Sequence, residues 1–141
     1  MNQIALWLSK KYYVVQVGLK NEDLLEGTAD YREILSINKL GALLKDSLFF
    51  IGQEGFVMHL ARSQNTRSVI LYGGRIKAWQ SGYPCNENIE SDLECSPCWQ
   101  NNLCDYDRQC MSDISITQVK DAIGRIEQRL PDELETEVIE L

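Results

Sequence analysis

Apolar positions fall in short blocks between polar turns, and their spacing changes along the chain. Ile4, Trp7 and Leu8 lie a helical turn apart, so residues 2–10 predict an amphipathic helix, with Lys10 and Lys11 at its C-terminal end where the dipole favours them. Tyr12-Tyr13-Val14-Val15-Gln16-Val17 is almost unbroken in strand formers, the pattern of a parallel strand covered on both faces; Gly18 ends it. Residues 21–26 are polar and suit at most a short helix. Glu33-Ile34-Leu35 reads as a brief strand, and Asn38 as the cap of a helix bearing Leu40, Leu43 and Leu44. A strand follows at 48–51, a helix at 55–63, and a strand at Ser68-Val69-Ile70-Leu71-Tyr72, closed by Gly73-Gly74. From about 75 to 113 the periodicity dissolves into a loop-rich stretch that holds all five cysteines. Ser115 then caps a closing helix with Ile116, Val119, Ile123 and Ile126 on one face, and Pro131 stops it. Residues 132–141 carry five acidic side chains and no basic one, and are expected to be mobile.

Strands alternating with helices predict an α/β fold with a parallel sheet. Right-handed crossovers would bring the turns after Val17, Leu35, Ile51 and Tyr72 to one edge, where open α/β sheets bind ligands. The turn at 52–55 is the most informative of these. Gly52 and Gly55 bracket it between a strand and a helix N-terminus, whose unpaired N–H groups and dipole suit an anion. Glu54 could accept hydrogen bonds from a sugar or ribose hydroxyl, and His59 follows one turn later. A glycine turn of this kind is more often plain structure than a phosphate site. A single helical histidine is more often a packed side chain than a ligand.

Composition narrows the functions. The chain has 141 residues, 44% of them hydrophobic, enough for one modest core. A formal net charge of −7 argues against a nucleic-acid partner. No apolar run reaches the roughly 18 residues of a membrane span. The opening Met1-Asn2-Gln3 lacks a signal-peptide pattern, which points to the cytoplasm, where thiols stay reduced. That bears on Cys95, Cys98, Cys104 and Cys110, spaced C-x2-C-x5-C-x5-C. Four thiolates at such spacing suit zinc, iron or an iron–sulfur cluster, and a closed four-sulfur site would be structural. Free thiols, or disulfides formed after lysis, are the alternatives. Cys85 reads as a bystander, and Arg75, after Gly73-Gly74, as a solvated residue that could pair with a phosphate.

Residues 52–59, together with Tyr83-Pro84, the cysteine cluster and the helix begun at Ile114-Ser115-Ile116, resemble the heptosyltransferase family of glycosyltransferases over about residues 5–128. The family's donor loop runs Gly-x-Asp-Thr-Gly-x-x-His; here Glu54 stands at the Asp, Gly55 at the Thr, Phe56 at the second Gly, and His59 matches. The cysteine cluster is similar to one associated with bound iron in the branch that modifies autotransporter adhesins. The resemblance implies one Rossmann-like half of a GT-B fold, the C-terminal half that binds a nucleotide-diphosphate sugar. It implies donor contacts from Glu54, Gly55, Phe56 and His59, base packing near Leu35 and Ser36, and a ribose contact near Glu22. The family's first strand, and the turn and phosphate-binding lysine after it, have no counterpart, and no residue suggests a general base.

Four segments follow: 1–74 a truncated Rossmann-like nucleotide-sugar region, 75–113 a cysteine-rich loop, 114–130 a closing helix and 131–141 an acidic tail. The leading expectation is a fragment, or a separately encoded part, of a GT-B glycosyltransferase: its donor-binding half, inactive alone, with a separately encoded acceptor domain as the possible partner. The alternative is a non-catalytic binding or assembly module stabilised by a cysteine-bound metal. Its oligomeric state is not legible.

Overall fold

A computed structural model of the chain describes residues 1–99 and 104–130. The acidic tail, 131–141, lies outside these residues, whereas the closing helix expected to run to Pro131 ends within them, at Glu127. The elements in order are α1 (Asn2–Leu8), β1 (Val14–Gln16), β2 (Thr28–Asp30), α2 (Ile37–Asp46), β3 (Phe50–Gln53), α3 (Phe56–Ser63), β4 (Ser68–Tyr72), α4 (Ala78–Ser81), β5 (Glu87–Glu90), α5 (Gln109–Ser112) and α6 (Ile116–Glu127). Among the described residues every strand pairing is parallel, as the apolar pattern predicts. The strands form two ladders, β1-β2 and β3-β4-β5.

β4 is the centre of the larger ladder and is buried along its whole length. Its side chains alternate between two cores, as the period of a strand dictates. Val69 and Leu71 face α1 and α6, meeting Ile4, Leu8, Val119, Ala122, Ile123 and Ile126. Ile70 and Tyr72 face the other way, onto Met58 of α3. Val14 and Tyr12 of the first ladder also pack against the α1–α6 core, and the Tyr12 and Phe49 rings meet edge to face at 5.5 Å. Both ladders therefore share one apolar layer. α6 begins on a capping box: the Ser115 hydroxyl accepts from Gln118 N–H, and the Gln118 side chain reaches back to Ser115 N–H.

Several expectations need correction. The strand expected at 33–35 is β2, ending at Asp30, and Glu33 instead turns the chain with φ of 56°. Asp30 ends β2 by accepting two bonds from the Arg32 guanidinium and one from Lys20, which locks the turn. Residues 21–26 form turns and no helix. α2 is capped by Ser36 rather than Asn38. α1 ends at Leu8, so Lys10 and Lys11 lie beyond it, and Lys11 pairs with Glu127 of α6. Within the loop-rich stretch 75–113 the structure adds elements that the pattern did not predict: α4, α5 and β5, an outer strand of the larger ladder.

Candidate functional site

The carboxyl ends of the parallel strands lie on one side of each ladder, and the turns that leave them carry the candidate residues. β3 runs into α3 through Glu54 and Gly55. Gly55 is the N-cap of α3, with φ of +150°, which favours glycine, and no side chain caps the helix. A Cβ at Gly55 would meet nothing within 4 Å. The backbone at the start of α3 is thus open to an approaching ligand. Phe56, its first residue, is 58% exposed.

His59 is also exposed, and its partner comes from far along the chain. Nδ1 lies 2.8 Å from the Tyr83 hydroxyl, and the two rings meet edge to face at 5.7 Å. Arg62, almost a turn further along α3, places its guanidinium 5.8 Å from the Tyr83 ring centre. With the tyrosine hydroxyl donating to Nδ1, the ring proton sits on Nε2, and Nε2–H can donate to an oxyanion. Tyr83 and Arg62 are the residues that sequence reasoning did not assign to the turn. Nothing in spacing links positions 59 and 83; the ring in Tyr83-Pro84 was the one visible signal. Below, Tyr72 donates to the Met58 sulfur at 3.4 Å, and burial pushes its hydroxyl up, so it stays neutral.

The other candidates are placed as follows. Glu22, Glu54, Gly55 and Phe56 line one cavity of about 930 Å³ between the two ladders. The Glu22 carboxylate lies over Gly18, at the end of β1. Leu35 and Ser36 are not among the residues lining that cavity, and Ser36 uses its hydroxyl on Lys39 N–H as the cap of α2. Arg75 is exposed, on the turn after β4.

The cysteine segment sits against that same turn. Cys98 N–H donates to Gly74 O at 2.8 Å and Trp99 N–H to Arg75 O at 3.1 Å. A Cβ at Gly74 would come within 3.2 Å of Cys110 Cβ and Sγ, so a side chain there would push the segment back by a few tenths of an ångström. All five cysteines are free. Cys95, Cys98, Cys104 and Cys110 line one small cavity of about 230 Å³, with Asp105 and Tyr106, whereas Cys85 stands apart. Among the described residues, no group of three or more His, Cys, Asp or Glu side chains is close enough to hold a metal ion as placed. No helix among them is long and apolar enough to cross a membrane.

No family model and no curated protein matches the sequence. Solved structures do match. One is the bacterial iron-containing dodecameric glycosyltransferase TibC from enterotoxigenic E. coli, with a TM-score of 0.76 and 19% identity. A second is the dodecameric iron-containing heptosyltransferase TibC in complex with ADP-D-β-D-heptose, with a TM-score of 0.77 and 20% identity. Each comparison covers 91% of this chain but 39% of the other. The chain thus has the α/β architecture of a Rossmann-like half of a GT-B glycosyltransferase and spans about two-fifths of the length of these neighbours.

Proposed function

We propose that the chain is the donor-binding half of a GT-B glycosyltransferase and holds a nucleoside-diphosphate sugar, such as a heptose donor, at the turn from β3 to α3. The observation that carries this is the uncapped, open N-terminus of α3 at the carboxyl edge of the sheet, with His59 oriented by Tyr83 beside it. Backbone N–H groups of Gly55 and Phe56 would donate to the diphosphate, and the α3 dipole would favour its charge. His59 Nε2–H would add a donor to the charge that develops on the leaving diphosphate, the contribution that dominates such transfers. Glu54 and Glu22 would meet sugar and ribose hydroxyls. Leu35 and Ser36 would approach the base only if the loop before α2 moved. The neighbour solved with ADP-D-β-D-heptose supports the ligand class. The acceptor and the general base belong, in this reading, to a separate domain, and the isolated chain does not turn over.

The four cysteines support a second element of the reading. Their donor set, four free thiols around one cavity, fits zinc or iron in chemistry, although the sulfurs must draw together to coordinate. Such a metal would hold the segment from Cys95 to Cys110 against Gly74. If donor affinity were absent while the metal was present, the chain would be a metal-stabilised assembly module instead.

Chemical-shift mapping with ADP and with ADP-heptose tests the donor site. Shifts should centre on Gly55, Phe56 and His59, with an affinity near millimolar, about −4 kcal/mol. Gly55→Val should remove binding, because its side chain would stand where the ligand enters and strain a φ that favours glycine. Shifts confined to the cysteine segment, or full binding by Gly55→Val, would reject the site.

A further inference from the structure

α3 carries two hydrogen-bond donors three positions apart, His59 and Arg62, which makes them neighbours on the helix surface. Both side chains are exposed, and one tyrosine touches both. The Tyr83 ring centre lies 5.7 Å from the imidazole centre and 5.8 Å from the guanidinium carbon, and its hydroxyl is 2.8 Å from His59 Nδ1. Tyr83 is itself tied down, because its carbonyl accepts from Asn86 N–H at 3.0 Å and from Asn88 Nδ2 at 3.1 Å. Arg62 Nη1 donates to Asn65 Oδ1 at 2.8 Å. Nε and Nη2 have no partner among the described residues, and Arg62 belongs to none of the ion pairs found there. An exposed arginine without a carboxylate is common. An arginine fixed beside a histidine by a shared aromatic ring, on the helix whose N-terminus is open, is a more specific arrangement.

We propose that Arg62 reads the second phosphate of the ligand, so that the site takes a nucleoside diphosphate and discriminates against a nucleoside monophosphate. The inference rests on the donor site at the turn from β3 to α3. One phosphate meets the N–H groups of Gly55 and Phe56 at the helix start. From Phe56 to His59 the helix rises about 4.5 Å, a step that two linked phosphates bridge with their outer oxygens. The second phosphate then reaches His59 Nε2–H. Long helical side chains lean toward the preceding turn, the direction that brings the Arg62 guanidinium to the same group. Its planar fork matches two phosphate oxygens. A monophosphate fills the first place only and leaves the fork unused. Arg62 is in this sense a specificity-determining residue, and the sugar-side phosphate, where charge develops as the donor bond breaks, is the group it meets.

The full chain, isotope-labelled, is titrated with ADP, AMP and inorganic phosphate. Shifts are followed at the Gly55 and Phe56 amides, the His59 ring and Arg62 Nε, and the amides of α6 report that each variant is folded. ADP should bind about tenfold more tightly than AMP, the worth of one charge-assisted contact. Arg62→Ala should bring ADP down to the affinity of AMP and leave AMP itself unchanged. Arg62→Lys keeps the charge without the fork and should recover only part of the preference. Inorganic phosphate should shift the His59 ring in the parent far more than in Arg62→Ala. If ADP shifts Gly55 and Phe56 but Arg62→Ala weakens ADP and AMP equally, or weakens neither, the donor site stands and the role of Arg62 falls. If ADP leaves Gly55 and Phe56 unshifted while phosphate still shifts His59 and Arg62, the donor turn is rejected. Arg62 then holds a lone anion, which overturns its reading of a second phosphate. Loss of the ADP preference in Arg75→Ala, with the preference intact in Arg62→Ala, would give the second phosphate to the turn after β4 and overturn the proposal as well.

Discussion

His59 is useful to an anion only if its ring is held, and Tyr83 holds it. The hydroxyl engages Nδ1 and the edge-to-face contact fixes the plane, and where the hydroxyl donates to Nδ1, Nε2–H is left to donate. Tyr83→Phe keeps the ring contact and removes the hydroxyl. In the proposed donor site it should weaken nucleoside-diphosphate binding about fivefold, the worth of one ordinary hydrogen bond. His59→Ala should weaken it by more, about tenfold, and the double variant should be little worse than His59→Ala, because both act through one nitrogen. Titration calorimetry of the three variants decides this; independent, additive losses would mean that Tyr83 does not act through His59. At this scale the sequence was half legible. Gly55 announced itself because a helix start without a side-chain cap and with an unusual φ demands glycine. The partnership with Tyr83 did not, since it arises only when α3 and the turn before β5 are brought side by side.

Elements with a strong pattern were legible, and elements held by their neighbours were not. β4 spans Ser68–Tyr72, as its unbroken apolar run predicts, and α6 starts where its capping box says. β5 was missed because Glu87-Asn88-Ile89-Glu90 has one apolar side chain; its pairing with β4 and its cover by α6 make it a strand. β2 was displaced because Thr28-Ala29-Asp30 is barely apolar, whereas the more apolar Ile34-Leu35 follows a left-handed turn at Glu33. The α2 cap separates two roles for Ser36. Ser36→Ala should cost about 1 kcal/mol of stability by denaturant titration, and Asn38→Ala far less. If Ser36 acts only as a cap, nucleotide affinity should not follow that loss. The cysteine segment makes a comparable contrast. If Cys95, Cys98, Cys104 and Cys110 hold a metal, Cys98→Ser should lower the melting temperature much more than Cys85→Ser, and elemental analysis under reducing conditions should find about one zinc or iron per chain. Five freely titratable thiols in the metal-free native protein would reject it.

At the scale of the whole molecule, the C-terminal helix is what ties the sheet together, and it does so through charge as well as packing. Ile123 and Ile126 bury against β4 and α1. Around them Glu87, at the start of β5, accepts from Arg125 at 2.7 Å and from Arg129. Glu127 takes Lys11 at 3.3 Å and the Tyr12 hydroxyl. Burial alone would raise the Glu87 carboxyl, but the two guanidinium groups outweigh it and hold it below its usual range. Asp30, beside Arg32 and Lys20, is held well below it. A carboxyl depressed in the folded state contributes stability that is fully present above its unfolded value, about 4, and is lost as pH falls through the folded value. The melting temperature should therefore change little from pH 7 to 5 and fall steeply below about pH 4. Glu87→Gln should lower it at pH 7 by the equivalent of about 1 kcal/mol or less, because both arginines are half exposed and salt screens them. The same variant should flatten the acid limb, since one of the groups that drives it no longer titrates. Its effect should shrink in about 1 M salt, whereas the loss from Ile123→Ala, expected at roughly 2–5 kcal/mol, should persist there. Scanning calorimetry of the parent and both variants between pH 3 and 7 separates the two contributions. An acid limb unchanged by Glu87→Gln would mean that the link from β5 to α6 rests on packing alone.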